Sequence, residues 1–356
     1  MESPEHDRDE RLPVPTDAGA AAGAGAPVNG GPAALIQSPR EPLFGAYLSV
    51  LLYIVGYFVV GIVLAMVLAM AGGLLVGFGV VQMPPIEEEL AAIGPMDIEA
   101  ILKVMEPYLL HLVIASGLYT ILYTWAFVRV LDRRRLRDLG LRFRRGWFGN
   151  FAKGAALAIL ILGAIFAFSL AVGSIRVEGF ARAAPEGVSV LVYFIGALLA
   201  FLSVGVYEEL MFRGYVLQRL NDRAGKTVSI VVSSAIFAVL HGFNPDADVF
   251  GIVNTIGIGV ILCVLYFRTG SLWMPIGFHA AWNFSLGYLY SLPVSGIPLY
   301  GVLDVVEVEE SSRLTGGSYG PEAGLACTIA LAVWGAWLIW KRTGRGSTEG
   351  HSRDEP

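Results

Sequence analysis

Long apolar runs separated by short polar segments dominate the chain from about residue 43 to residue 341. Runs of about 17 to 25 apolar residues match the hydrocarbon thickness of a bilayer. They fall near 46–78, 108–130, 152–175, 189–212, 228–243, 249–267, 272–290 and 322–341. The pattern therefore predicts an all-α polytopic membrane protein with about eight transmembrane helices. The fifth run is short and the first is long, so the boundaries are loose by several residues. Residues 1–42 are rich in Ala, Gly, Pro and acids, too poor in apolar surface to order themselves, and read as a disordered cytoplasmic tail. That tail lacks the basic start and short apolar centre of a signal peptide. The expected organisation continues with a transmembrane hairpin and Arg-rich loop over 43–146, a helical core over 147–341 and a polar tail over 342–356.

Composition strengthens this reading. The 356 residues are 55% hydrophobic and only 15% charged, with a mean hydropathy of +0.63. The net charge of -5 is spread over tails and loops, so no basic footprint supports nucleic-acid binding. Cys263 and Cys327 lie inside apolar runs, where thiols act as small hydrophobes, and no CxxC motif is present. Arginine placement sets the expected orientation, because cytoplasmic loops carry the basic excess. The loop DRRRLRDLGLRFRRG at 132–146 holds seven arginines, whereas 82–106 and 291–321 carry acids with only Lys103 and Arg313. Both termini are then cytoplasmic, in agreement with Lys341 and Arg342 at the last helix end. Of 25 basic residues 21 are Arg, a bias that suggests a GC-rich genome and a prokaryotic source.

Against this apolar background a few polar residues stand out. Glu208, Glu209 and Arg213 directly follow the fourth run, in GVYEELMFRG. A charge at mid-membrane costs at least about 2.5–3.5 kcal/mol, so intramembrane ionisable residues usually mark a site. Helical residues four apart share a face while neighbours point about 100° apart. Glu209 and Arg213 can thus pair, leaving Glu208 to serve as a base. The plainer account ends the helix at Val206 and puts both acids among the headgroups. Two histidines bear on the choice. His241 follows Phe237 by four in FAVLH, and Asn283 follows His279 by four in HAAWN. At 1.5 Å per residue, Glu208, His241 and His279 lie about 17, 21 and 12 Å from the turns at the Arg-rich face. The depths are compatible with one Glu, two His and one Asn meeting in a cavity open to the cytoplasm. A lone His in such a helix only bonds across helices; four convergent groups argue for more.

Together, EELMFR, FAVLH and HAAWN resemble the three motifs of the CPBP intramembrane proteases, the group that includes the type II CAAX prenyl endopeptidases. The motifs occur in the family order and spacing, and the resemblance covers roughly residues 150–290. It implies an eight-helix membrane protease, with 147–341 as its core, in which Glu208 and His241 activate a water for attack on a peptide carbonyl. His279 and Asn283 would stabilise the oxyanion, with Glu209, Arg213 and Phe237 in support. Its substrate would be a membrane-embedded or lipidated peptide or protein in the bilayer.

Metal dependence divides two readings. Glu208, His241 and His279 could hold zinc, since catalytic zinc uses three such ligands plus water. The chain lacks HExxH, and Glu208 would lose its role as free base, so the reading favoured is a glutamate-activated water without a cofactor. A non-catalytic membrane peptide-binding or immunity protein is the competing class, since it needs the cavity but not the carboxylate. A transporter predicts internal repeats and broken helices in two halves, and none is visible.

Overall fold

A computed structural model describes residues 44–77, 109–308 and 312–346. The expected tail at 1–42, the loop at 82–106 and residues 347–356 lie outside the described residues. The helices are α1 (Ala46–Gly77), α2 (Leu109–Val130), α3 (Trp147–Ala171), α4 (Val190–Glu209), α5 (Leu217–His241), α6 (Val249–Thr269), α7 (Trp273–Phe284) and α8 (Leu325–Gly346). They form because lipid offers no hydrogen bonds, so a crossing backbone must satisfy its own N–H and C=O groups. Their outward faces stay apolar: Leu160 and Leu191 are 70% and 65% exposed, as lipid-facing side chains would be.

Among the described residues five stretches are long and apolar enough to cross a bilayer: Ala46–Ala71, Leu110–Val130, Trp147–Ala171, Val190–His241 and Val249–Thr269. The expected count of eight is not reached by that measure. The fourth and fifth runs are joined in one stretch of 52 residues. It bends at Gly225, whose φ of 77° and ψ of 172° are open to glycine and strained for other residues. The seventh run is the 12-residue α7 extended by a π-helical turn, Ser285–Leu289. For the eighth, the apolar stretch among the described residues is Leu325–Gly335, and α8 itself continues to Gly346, inside the polar tail expected from 342.

Sheet was not expected. Strands β1 (Ile175–Phe180) and β2 (Leu303–Glu307) pair antiparallel, Ile175 opposite Glu307 and Phe180 opposite Leu303, with a bulge between Val177 and Gly179. This ribbon joins the loops after α3 and before α8, at the end away from the Arg-rich loop.

At that other end the Arg-rich loop is bonded to neighbouring turns. Gln218 Nε2 donates to Leu139 O at 2.8 Å, Leu272 N to Gly140 O at 3.1 Å and Trp273 Nε1 to Arg142 O at 3.2 Å. The α2–α3 loop, the region near the α4–α5 bend and the α6–α7 turn therefore share one face. At the centre, α7 is pressed between α3 and α4. A Cβ on Gly277 would sit 2.1 Å from Phe151 O, and one on Gly154 2.0 Å from Met274 O, so only glycine allows this approach. Gly205 brings α4 against Ile276 and Ala280 from the other side. This packing sets the position of His279 and Asn283.

Candidate active site

Glu209 is the most enclosed charge of the site. It and Arg213 are wholly buried, with Arg213 Nη1 donating to Glu209 Oε1 at 2.9 Å. The guanidinium donates again to Gly259 O at 3.3 Å and lies 4.4 Å from the centre of the Phe237 ring. His279 Nδ1 reaches the same Glu209 oxygen at 2.9 Å. A carboxylate only accepts, so this nitrogen carries the proton and Nε2 faces away from Glu209.

His241 is oriented in the same manner by a different acceptor. Its Nδ1 lies 2.9 Å from Phe237 O, one turn earlier on α5. A carbonyl accepts, so Nδ1 is again the donor and Nε2 points outward. The two Nε2 atoms meet at Glu208: its Oε2 is 3.8 Å from His241 Nε2 and 3.7 Å from His279 Nε2. Both separations exceed direct hydrogen-bond length. A bridging water spans gaps of this size.

These groups line one cavity of about 150 Å³, together with Asn283, Phe237 and a mostly aliphatic wall. Asn283 is buried one turn beyond His279. All seven residues singled out from the sequence thus lie in or directly beside this cavity. The helix after Glu209 does not continue as plain α: Leu210–Val216 is a π-helical turn. Such turns gather at functional sites.

Residues that sequence reasoning passed over also face the cavity. Tyr207 precedes Glu208, Asn244 follows His241 by three, and Ser295 and Glu322 come from the loops before α8. Glu322 is held by neutral donors. Trp282 Nε1 donates to its Oε1 at 3.0 Å, while Ser295 N and Oγ both donate to Oε2 at 2.7 Å. Asn254 Nδ2 donates to the Glu322 carbonyl at 2.8 Å. An acid at the head of the last apolar run was the available signal, but a loop acid beside a helix is ordinary.

The expected opening toward the Arg-rich face needs correction. On that side the cavity is lined by Leu262 and Phe278. Beyond them Tyr215, Val216, Cys263, Tyr266, Leu272 and Ile276 are fully buried and fill the space toward that face. Depth counted along the helices could not reveal this seal.

Residues 189–285 match the model of the Rce1-like family, described as type II CAAX prenyl endopeptidase Rce1-like. This segment is similar to an Rce1-like domain. It runs from the start of α4 to the end of α7 and contains every motif residue named above. The match spans 97 of the 356 residues. No match to a curated protein was found. The cavity is completed from outside the matched segment, by Leu110 and Val113 of α2 and by Val294, Ser295, Leu299 and Glu322.

Among the described residues no group of three His, Cys, Asp or Glu side chains is gathered as a metal-binding set. Glu208, His241 and His279 stand 3.7–3.8 Å apart on two edges, wider than the roughly 3.3 Å that neighbouring ligands of a tetrahedral zinc span. As arranged, the three residues are spaced more widely than the ligands of a regular tetrahedral zinc.

Proposed function

We propose that this chain is an intramembrane endopeptidase that hydrolyses a peptide bond of a membrane-associated peptide or protein. The observation that carries the reading is the convergence of Glu208, His241 and His279 in one cavity, each imidazole turned by a bond at its Nδ1. The Rce1-like match supports a peptidase of the CAAX type. A membrane-associated substrate fits the apolar helices around the site.

In this reading Glu208 is the general base and His241 positions the attacking water through its Nε2 lone pair. The water oxygen bonds to the carbonyl carbon as Glu208 takes its proton, and the carbonyl electrons move onto oxygen. Asn283 offers an amide N–H to that oxyanion. His279 does so only as an imidazolium, whose charge Glu209 balances at 2.9 Å. Glu208 then returns the proton to the departing nitrogen as the C–N bond breaks, leaving a carboxylic acid and an amine, and the acid's proton then passes to the amine. Glu209, Arg213 and Phe237 hold these groups in place. No step passes through a metal, so cleavage persists after exhaustive chelation; a loss reversed by added zinc contradicts this assignment. The Arg-rich loop faces the cytoplasm, in keeping with the basic excess on that face.

The test compares peptide termini in membranes from cells producing wild type or Glu208→Gln at matched levels. General-base removal costs about 10²–10⁴-fold in rate, so wild-type-specific termini disappear from the variant. Identical termini in both, with the variant folded, favour a protein that binds peptide without cleaving it.

A further inference from the structure

We infer that the substrate reaches Glu208 from the membrane face opposite the Arg-rich loop, so that the scissile peptide is a non-cytoplasmic segment. This deepens the protease reading and rests on it. Three observations converge. The first is the seal of fully buried side chains between the cavity and the Arg-rich face. The second is the origin of the cavity wall. Leu110 and Val113 come from the start of α2, about 30 Å along the helix from its arginine-bearing end at Val130. Asn244 comes from the turn after α5, and Val294, Ser295 and Glu322 from the loops before α8. Among the described residues every inter-helix loop that lines the cavity therefore lies at the end opposite the arginines.

The third is charge. The arginine face joins the loop at 131–146 to Arg219 through Asp132 and to Asp222 through Arg134, both at 3.5 Å. The cavity face carries Glu178, Glu186, Asp246, Asp248, Asp304 and Glu307 among the described residues, with Arg176, Arg182 and Arg313 as its basic groups. Phe180 and Phe243 are 85% and 83% exposed there, as aromatic side chains at a headgroup boundary are. The positive-inside rule then puts the cavity face outside. The segments that wall the cavity on this side lie largely outside the matched 189–285. Access is thus a property of the whole chain.

The experiment uses full-length protein in intact cells. Cys263 and Cys327 are both buried, so the parent chain is the blank. Asn244→Cys, within the cavity wall, and Arg144→Cys, on the Arg-rich loop, are treated with a membrane-impermeant maleimide outside intact cells, and separately in inverted vesicles. The expected result is modification of Asn244→Cys in intact cells and of Arg144→Cys only in inverted vesicles. Modification of both from the same side overturns the geometry. Modification of Asn244→Cys only in inverted vesicles overturns the non-cytoplasmic substrate, as does reaction only after denaturation. Labelling needs no cleavage, so a failure here leaves the Glu208→Gln comparison standing, and the reverse holds.

Discussion

Two adjacent carboxylates meet unlike surroundings. Glu209 shares one oxygen between Arg213 and His279 and is closed off from every solvent path, whereas the Glu208 side chain is 16% exposed to the cavity. A buried ion pair adds little net stability, but breaking it strands a charge and costs about 3–5 kcal/mol. Arg213→Met should therefore unfold the protein at markedly lower temperature, as read by thermal unfolding in detergent; an unchanged midpoint contradicts the pairing role. Glu322 acts at a distance from the chemistry. Glu322→Ala leaves the Trp282 and Ser295 donors unsatisfied, each costing about 1–3 kcal/mol when buried. The loop at 294–297 then loosens, and KM for a cleaved peptide rises more than kcat falls. Equal changes in both place the residue outside substrate binding.

At the scale of elements, the site depends on two interruptions and two close approaches. π-Helical turns follow both Glu209 and the α7 helix that carries His279 and Asn283. Plain α periodicity put Glu209 beside Arg213 and Asn283 one turn from His279, and both relations were legible because they are local. The shared use of Glu209 by Arg213 and His279 was not legible, since it joins α4 to α7 across 70 residues. The ribbon of β1 and β2 was equally hidden: its pairing is long-range and its strands lie in segments read only as loops. The approach of α3 to α7 rests on Gly154 and Gly277. Gly277→Ala forces a methyl against Phe151 O and should cost about 1–3 kcal/mol, seen as a lower unfolding temperature. Gly149→Ala, with nothing near its Cβ, should leave that temperature unchanged or raise it. Equal losses from both contradict the packing account.

For the whole molecule, composition and run length were enough to indicate a helical membrane protein, because a bilayer imposes both. The number of crossings was harder to read. A 52-residue helical stretch bends at one glycine, and α7 is only 12 residues long, so apolar length alone does not count the crossings. The side from which the cavity is reached depends on side chains filling the space under Glu208, His241 and His279, which no single run reports. The central claim is that Glu208 does the chemistry and Glu209 holds the structure. Glu208→Gln and Glu209→Gln, purified in parallel and measured together for peptide cleavage and thermal unfolding, test it most directly. The account predicts that Glu208→Gln keeps its unfolding temperature and loses cleavage, while Glu209→Gln unfolds early. Cleavage that survives Glu208→Gln in the folded protein would contradict it.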